Sequence, residues 1–151
     1  MAKAPPKPEL GCFRLALIKL WVRAHCILYR LTNGSIGGRL ENSSILLLTT
    51  VGRKSGVRRT TPVIFLPTGR SYAIVASLAG ADRHPAWYLN LEASHEADVQ
   101  VLDKRIHVTT QTVDAERRKE LWPELVAIYP PYAEYQTRTT RIIPVIELFP
   151  S

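Results

Sequence analysis

Leu46-Leu-Leu-Thr-Thr-Val-Gly52-Arg53-Lys54-Ser55-Gly56-Val57-Arg58-Arg59-Thr-Thr-Pro62-Val-Ile-Phe-Leu66 is the stretch that decides the fold. An apolar run over residues 45–50 enters a short bend, and a second run over 58–66 leaves it. A join this short cannot make a parallel crossover, so the two strands pair antiparallel. Pro62 lacks an N–H and places its strand at an edge, a bulge or a strand start. Gly52 and Gly56 bracket the bend, and glycine lets the backbone reach positive φ and approach a ligand closely. Successive N–H groups in such a bend can form an anion nest. Arg53, Lys54, Arg58 and Arg59 would add charge-assisted bonds to phosphate. Two readings stand: a cradle for a phosphorylated small molecule, or a basic hairpin on a basic protein.

The same rhythm continues on the C-terminal side. Residues 67–70 form a turn, 71–77 alternate as a strand, and 78–84 form a loop. Pro85 suits the first turn of a helix running to about residue 93. Strands follow at 98–102 and 105–113, joined at Asp103-Lys104. Asp114 is an N-cap for a helix to residue 129, which Pro130-Pro131 stops. A short helix over 132–138 and a last strand over 142–149 complete the reading. About six short strands with tight antiparallel joins and inserted helices predict a mainly β domain, a small closed or partly split barrel over residues 39–151.

Residues 1–38 differ in character. Residues 1–9 hold three prolines and two lysines and read as a disordered basic tail. Residues 10–31 read as an amphipathic helix with Lys19, Arg23 and Arg30 on one arc. Such a helix can pack on its own domain or on a second subunit, or lie in a membrane interface. Residues 33–38, Asn-Gly-Ser-Ile-Gly-Gly, read as a flexible hinge. No apolar run is long enough to span a bilayer. The net charge of +7 favours anionic partners. Only two cysteines occur, Cys12 and Cys26, which fits a reducing cytoplasm better than secretion.

Several chemistries have nothing to stand on. The four histidines have no metal-ligand spacing, no nucleophile elbow occurs, and no Gly-Lys pair makes Gly52–Ser55 a phosphate-binding loop of the nucleotide type. Carboxylates are scattered, so the chain reads as one that borrows its chemistry from a cofactor. Two segments remain conspicuous. Tyr129-Pro-Pro-Tyr132-Ala-Glu-Tyr135 sets three phenols at intervals of three residues, able to stack on a flat ligand and relay a proton, or merely to pack. Pro85-Ala86-Trp87-Tyr88-Leu89-Asn90-Leu91 follows a glycine-containing loop and offers free amides at its start, or is a short core helix.

These pieces occur in the order Thr49–Gly56, Arg59-Thr-Thr-Pro62, Val75-Ala76-Ser77, Pro85–Leu91 and Tyr129–Gln136, and over about residues 40–150 the chain resembles the deazaflavin-dependent nitroreductase and quinone reductase family of actinobacteria. The resemblance implies a split β-barrel enzyme using coenzyme F420. The cofactor's anionic tail would lie on Thr50, Arg53, Lys54, Ser55, Arg58 and Arg59. The deazaflavin ring would rest on Thr61, Pro62 and Val63, edged by Val75, Ala76, Ser77 and Leu78, under Ala86, Trp87, Tyr88, Leu89 and Asn90. Phe65, Trp87, Tyr129, Tyr132 and Tyr135 would line the acceptor pocket, with Tyr132, Tyr135 and Ser77 nearest the chemistry. Quinones, and more weakly nitro-aromatics, are the implied acceptors, with no nucleic acid as partner. A membrane quinone would suit a cytoplasmic protein seated peripherally on the inner face of the cell membrane through its basic helix. The chain departs from the family pattern at Phe65 (Tyr in nitroreducing members), at Leu78-Ala79-Gly80 (a Lys-Gly-Gly type loop) and at Ala86 (commonly Met), which bears on the acceptor more than on the cofactor. An FMN-binding barrel and a non-enzymatic basic surface protein are the alternatives.

Overall fold

The computed structural model describes residues 12–151, so the expected tail at 1–9 lies outside the described residues. Among the described residues the elements run α1 (Cys12–Leu31), β1 (Arg39–Leu40), β2 (Ser43–Val51), β3 (Arg58–Thr68) and β4 (Ser71–Val75), then a 3-10 turn (Leu78–Gly80). They continue with α2 (Ala86–Ser94), β5 (Glu96–Val101), β6 (Lys104–Thr112), α3 (Ala115–Ile128), α4 (Pro131–Thr137) and β7 (Val145–Pro150). The strand order is β1-β2-β3-β4-β7-β6-β5, and β5 pairs back onto β2, so six strands close a barrel. Every pairing is antiparallel. The expected small barrel is what forms.

Alternation explains why Leu46-Leu47-Leu48 is apolar without a break. Leu46 and Leu48 enter the barrel core with Ile74, Val99, Val108, Ile146 and Leu148. Leu47 points outward with Ile45, where Cys26 and Tyr29 of α1 cover them. A second outer face, with Ala73, Val75 and Val145, is covered by Leu121 and Leu125 of α3 and by Tyr132. Both faces of the wall are thus dry, and a period-two polar pattern would have no water to meet. Pro62 pairs opposite Leu47 on β2, while β4 pairs with β3 only from Phe65 onward. The first half of β3 is therefore an edge, where the missing N–H is tolerated.

The Asn33–Gly38 connection is more tightly held than a hinge. Gly34 N donates to Tyr29 O at 2.9 Å, and Ile45 N donates to Gly38 O at 2.9 Å. His25 Nε2 meets the Gly37 carbonyl at 2.9 Å. Any side chain at position 38 would strike the Gly34 carbonyl, so only glycine fits there. Tyr29, fully buried, locks the helix to the barrel: its hydroxyl donates to Ile45 O at 3.0 Å and accepts from Leu102 N at 2.9 Å. That second bond explains a shift in the β5–β6 turn. It falls on Leu102-Asp103, one residue earlier than Asp103-Lys104. Leu102 sits at φ 55, a conformation costing a non-glycine residue roughly 1–2 kcal/mol, and Tyr29 holds it there.

The helix boundaries follow local chemistry. Asp114 accepts from Arg117 N at 2.8 Å as the N-cap of α3. Pro130-Pro131 ends α3 and opens α4. The last strand begins at Val145 rather than at 142, because the preceding residues are spent on contacts with Gln136 and Arg118.

Candidate active site

Two recesses meet beside the first half of β3. The first is a cleft of about 720 Å³. Its floor is Thr61, Pro62 and Val63 of β3 with Val75 and Ser77 at the end of β4. Leu78, Ala79, Pro85 and Trp87 form one wall, the three tyrosines another, and α1 closes the outer side. The second is a groove of about 690 Å³ lined by Thr50, Arg53, Arg59, Arg83, His84, Ala86, Leu89 and Asn90. Thr61, Leu78, Pro85 and Trp87 border both, so an apolar chamber opens directly into a basic channel.

Strand parity decides which basic residues reach that channel. Successive side chains alternate between the faces of β3. Arg59 and Thr61 line the groove, whereas Arg58 and Thr60 line a separate recess on the other face. There Arg58 is ion-paired with Asp98, and His107 Nδ1 meets the same carboxyl group at 2.8 Å. Arg58, expected on the cofactor tail, is thereby placed outside the groove, exposed and paired with Asp98.

The bend offers fewer free amides than its sequence promised. Gly52 N donates to Val57 O at 2.9 Å, and Gly56 N donates to Gly52 O at 2.7 Å. Arg53 N donates to Asn90 Oδ1 at 3.1 Å, and Val57 N donates to Ser55 Oγ at 3.3 Å. Only the N–H groups of Lys54 and Ser55 remain without a partner among the described residues. Lys54 and Ser55 themselves stand exposed on the bend and line neither recess. Asn90 is buried, and its Nδ2 donates to Thr50 Oγ1 at 3.1 Å while Oδ1 holds the bend. It fastens the basic bend to α2 as well as bordering the groove.

Three other expected contacts are placed differently. Phe65 lies deeper along β3 than Val63, buried in the barrel core with its ring edge-on to Tyr72 at 5.3 Å. Ala76 is fully buried in the same core, and Tyr88 turns into it from α2, tilted against His84 at 4.9 Å. None of the three lines the cleft or the groove.

The tyrosines form one mutually packed group. Tyr129 and Tyr132 meet edge to face at 4.9 Å, and Tyr135 lies 6.4 Å from Tyr132. The hydroxyls of Tyr129 and Tyr135 are 3.4 Å apart, and that bond with burial pushes the Tyr129 phenol up to about 12. Tyr132 is buried, and desolvation followed by its two phenolic neighbours raises its pKa. Among the described residues its hydroxyl has no hydrogen-bond partner, yet no fully buried side-chain oxygen goes unpartnered. The Tyr132 hydroxyl must therefore open to the cleft that it lines. The Ser77 hydroxyl is likewise free and faces the same space.

Other residues of the site were not anticipated. Arg83 and His84 extend the basic groove beside Pro85, and a basic pair preceding a helix-starting proline was a readable signal. Burial, then the charge of Arg141, lowers the His84 pKa. Arg141 reaches back some sixty positions to hold the 76–84 loop, a contact with no local sequence signature. Trp21, Ala24, His25 and Leu28 of α1 also line the cleft. Among the described residues no cluster of His, Cys, Asp or Glu could hold a metal ion.

A family model described as F420H2-dependent quinone reductase matches residues 21–150. An F420H2-dependent quinone reductase of Mycobacterium tuberculosis is 40% identical over 133 residues, covering 84% of this chain and 88% of that protein. Among solved structures, an F420H2-dependent reductase is 43% identical with a TM-score of 0.64, covering 69% of this chain and 92% of the other. A chain described as a domain-swapped dimer is 38% identical with a TM-score of 0.66, covering 87% of this chain and 98% of the other. The heme storage protein of Vibrio cholerae, 13% identical with a TM-score of 0.54 over 86% of this chain and 90% of its own, shares the fold alone.

Proposed function

Because this chain belongs to the F420H2-dependent quinone reductase family, and is thereby an oxidoreductase using coenzyme F420, we propose that it reduces a menaquinone-like quinone to the hydroquinone. Nitro-aromatic compounds are slower acceptors in this reading. The observation that carries it is the junction of an apolar cleft with a basic groove, beside one phenol that has no partner.

The donor set fits the cofactor. Arg53, Arg59 and Arg83 supply positive charge to an anionic phosphodiester and glutamate tail along the groove. Thr61, Pro62, Val63 and Trp87 supply flat apolar surface for a fused ring system. When bound and reduced, the deazaflavin supplies a hydride from carbon. The protein's part is to orient, to exclude water and to deliver a proton. A hydride and one proton together convert a quinone to its hydroquinone. Tyr132 holds that proton at its unpartnered hydroxyl; burial raises its pKa, so the phenol stays neutral and gives up the proton only as negative charge develops on the acceptor oxygen. The Tyr129–Tyr135 pair packs against the Tyr132 ring and fixes its position.

The test is anaerobic oxidation of reduced coenzyme F420 with a menaquinone analogue, nitro compounds and unsaturated lactones as competing acceptors. Fast quinone-dependent oxidation is expected. Oxidation by the lactones alone, or tryptophan quenching by FMN but not by coenzyme F420, rejects the reading.

The same reading places the protein peripherally on the inner face of the cell membrane. Supporting it, α1 leaves Leu15, Leu17 and Ile18 exposed beside Arg14, Lys19 and Arg23, and no helix among the described residues is long and apolar enough to cross a bilayer. Co-flotation with anionic vesicles that disappears with neutral vesicles or high salt is expected.

A further inference from the structure

The recess that holds Arg58 has a volume of about 590 Å³ and shares no lining residue with the cleft or the groove. Strand register builds it. Thr49 of β2 pairs with Thr60 of β3 on one side and with Asp98 of β5 on the other, and Asp98 pairs with His107 of β6. Two residues along the same strands, Leu47 pairs with Gln100 and Gln100 with Arg105. These positions share one parity and point out of the barrel, opposite to Leu48 and Val108 in the core. The last turn of α1 brings Arg30 to the edge of the same recess.

Its charges do not balance. Asp98 is bonded to both Arg58 and His107, and Glu96 lies 3.6 Å from the other ring nitrogen of His107. Those two carboxylates are matched by those two basic side chains. Arg30 and Arg105 are left over, and neither has a carboxylate partner among the described residues. Arg30 is nonetheless held in place, its Nη2 donating to Thr60 Oγ1 at 2.8 Å. Thr60 Oγ1 and Thr49 Oγ1 stand 2.8 Å apart and share one hydroxyl proton. The second hydroxyl proton has no acceptor among the described residues and is free to be donated into the recess. The Arg105 side chain makes no hydrogen bond among the described residues. Two unmatched guanidiniums and a spare hydroxyl on one concave wall are donors without acceptors, which an anion supplies. Lys19 and Arg23 line an adjoining recess with Arg30, Arg58 and Arg59, and strengthen the positive field that draws an anion in.

We propose that this recess is a second anion site, taking a phosphate or phosphomonoester group between Arg30 and Arg105. Guanidinium forks match pairs of phosphate oxygens, and the threonine hydroxyl adds a neutral donor. A dianion balances the two unmatched charges, which a chloride or a single carboxylate does not. The volume exceeds that of a bare phosphate, so the organic remainder of a phosphomonoester also has room. Two sources present this chemistry: a soluble phosphorylated compound and a lipid with a phosphomonoester headgroup. The seated anion joins the end of α1 to β6 and stabilises the native state in step with its occupancy. The site stands independently of the acceptor and of coenzyme F420.

The test titrates inorganic phosphate into the full chain at constant ionic strength, with oxidised coenzyme F420 filling the groove and again without it. Phosphorus NMR line broadening gives the dissociation constant, and thermal melts give the midpoint. Saturable binding that raises the midpoint is expected in both states. Arg105→Gln and Arg30→Gln should each weaken phosphate about tenfold, the loss of one charge-assisted contact. Lys104→Gln removes the same charge from the adjacent position of β6, outside the recess, and should keep the wild-type constant. Arg59→Gln, in the groove, should keep it as well. Binding that never saturates overturns the site. So does an equal loss in Lys104→Gln and Arg105→Gln, which leaves only general attraction to a basic protein, and so does a loss in Arg59→Gln alone, which puts the phosphate in the groove. Flotation with vesicles of neutral lipid carrying phosphatidic acid separates the two sources. Flotation that excess phosphate displaces and that Arg105→Gln loses assigns the lipid headgroup. Flotation unchanged in Arg105→Gln, while its phosphate binding falls, assigns a soluble phosphomonoester.

Discussion

Arg141 donates through Nη2 to the Ser77 carbonyl at 2.8 Å, joining residues that stand 64 positions apart. The same guanidinium donates to Ala76 O at 3.2 Å and Ala81 O at 2.8 Å, and its Nη1 meets His84 Nδ1 at 3.2 Å. Between these anchors Leu78 and Ala79 hold φ values of 44 and 52, costly for side-chain-bearing residues. Gly80 presses so close to Tyr135 that a Cβ would stand 2.6 Å from the Tyr135 carbonyl. One planar fork thus fixes a strained loop that borders both recesses and touches the tyrosine helix. Lysine would keep the charge but could not reach four partners. Arg141→Lys should lose about 2 kcal/mol, seen as a melting midpoint lower by about 4–8 °C. Coenzyme F420 affinity should weaken about tenfold. Unchanged affinity with a lowered midpoint would make the clamp a purely structural device.

Arg58 and Arg59 are neighbours in sequence and occupy opposite faces of β3. Arg59→Gln should weaken coenzyme F420 binding by about tenfold, the loss of one charge-assisted contact. Arg58→Gln should leave that affinity within twofold, since its side chain pairs with Asp98. Isothermal titration of the two variants separates them. Equal losses would mean that the tail runs over the bend and not along the groove.

Those two arginines also show what the chain made readable. The strand rhythm, the Asp114 cap, the Pro130-Pro131 stop and the barrel topology all follow from local chemistry: a side-chain period, a missing N–H, a short join. Parity along β3 was equally available, and it separates Arg58 from Arg59 without any structure. Phe65 defeats parity alone. It shares a face with Val63, but it lies far enough along the strand to be closed into the core by Tyr72. Arg141 and the α1 wall of the cleft were beyond reach for a different reason. Their partners lie far away in sequence, and a local pattern cannot say which helix face will roof a cleft. A bend this tight consumes most of its N–H groups in its own hydrogen bonds, which a glycine-bracketed basic sequence does not reveal.

His84 borders the basic groove with a pKa below the usual histidine value, so at neutral pH it is uncharged. Bound phosphodiester and carboxylate groups favour its protonated form. Binding should therefore take up a proton, and coenzyme F420 affinity should rise as pH falls from about 7.5 to about 6. His84→Gln should flatten that dependence. Proton uptake compared in two buffers of different ionisation enthalpy measures it directly, and no difference between wild type and variant would remove His84 from the site.

On the outer wall of the barrel, His107 bonds Asp98 at 2.8 Å and lies 3.6 Å from Glu96. The Asp98 bond, then nearby carboxylate charge, raises the His107 pKa, and bonds from His107 and Arg58 hold Asp98 below the ordinary carboxylate value. The signs are opposite. The His107 contribution is complete below its unfolded value of 6.5 and is lost as pH rises through the higher folded value. The Asp98 contribution is complete above 3.8 and is lost as pH falls through the lower folded value. The cluster therefore stabilises most between those two pH values. Thermal melts from pH 3 to 9 should show His107→Gln losing a small part of the decline above neutrality, small because both groups are solvent-exposed. An identical profile in the variant would show that the cluster is screened to nothing.

Tyr132 combines a buried ring with a hydroxyl that no protein group satisfies. If that hydroxyl delivers the proton, Tyr132→Phe should lower kcat by about 100-fold, the lower end of general-acid contributions. Affinity for coenzyme F420 should stay within twofold, because the basic groove lies apart from the phenol. Tyr129→Phe should cost less, since its hydroxyl already bonds Tyr135 at 3.4 Å. The raised Tyr132 pKa adds a pH signature: wild-type kcat should not fall through the ordinary phenol range near 10, because the donor remains protonated there. Stopped-flow oxidation of the reduced cofactor, read with a menaquinone analogue, measures both. A variant that bound the cofactor tenfold more weakly at unchanged kcat would make Tyr132 a wall of the ring pocket and move the proton source to Ser77 or to solvent.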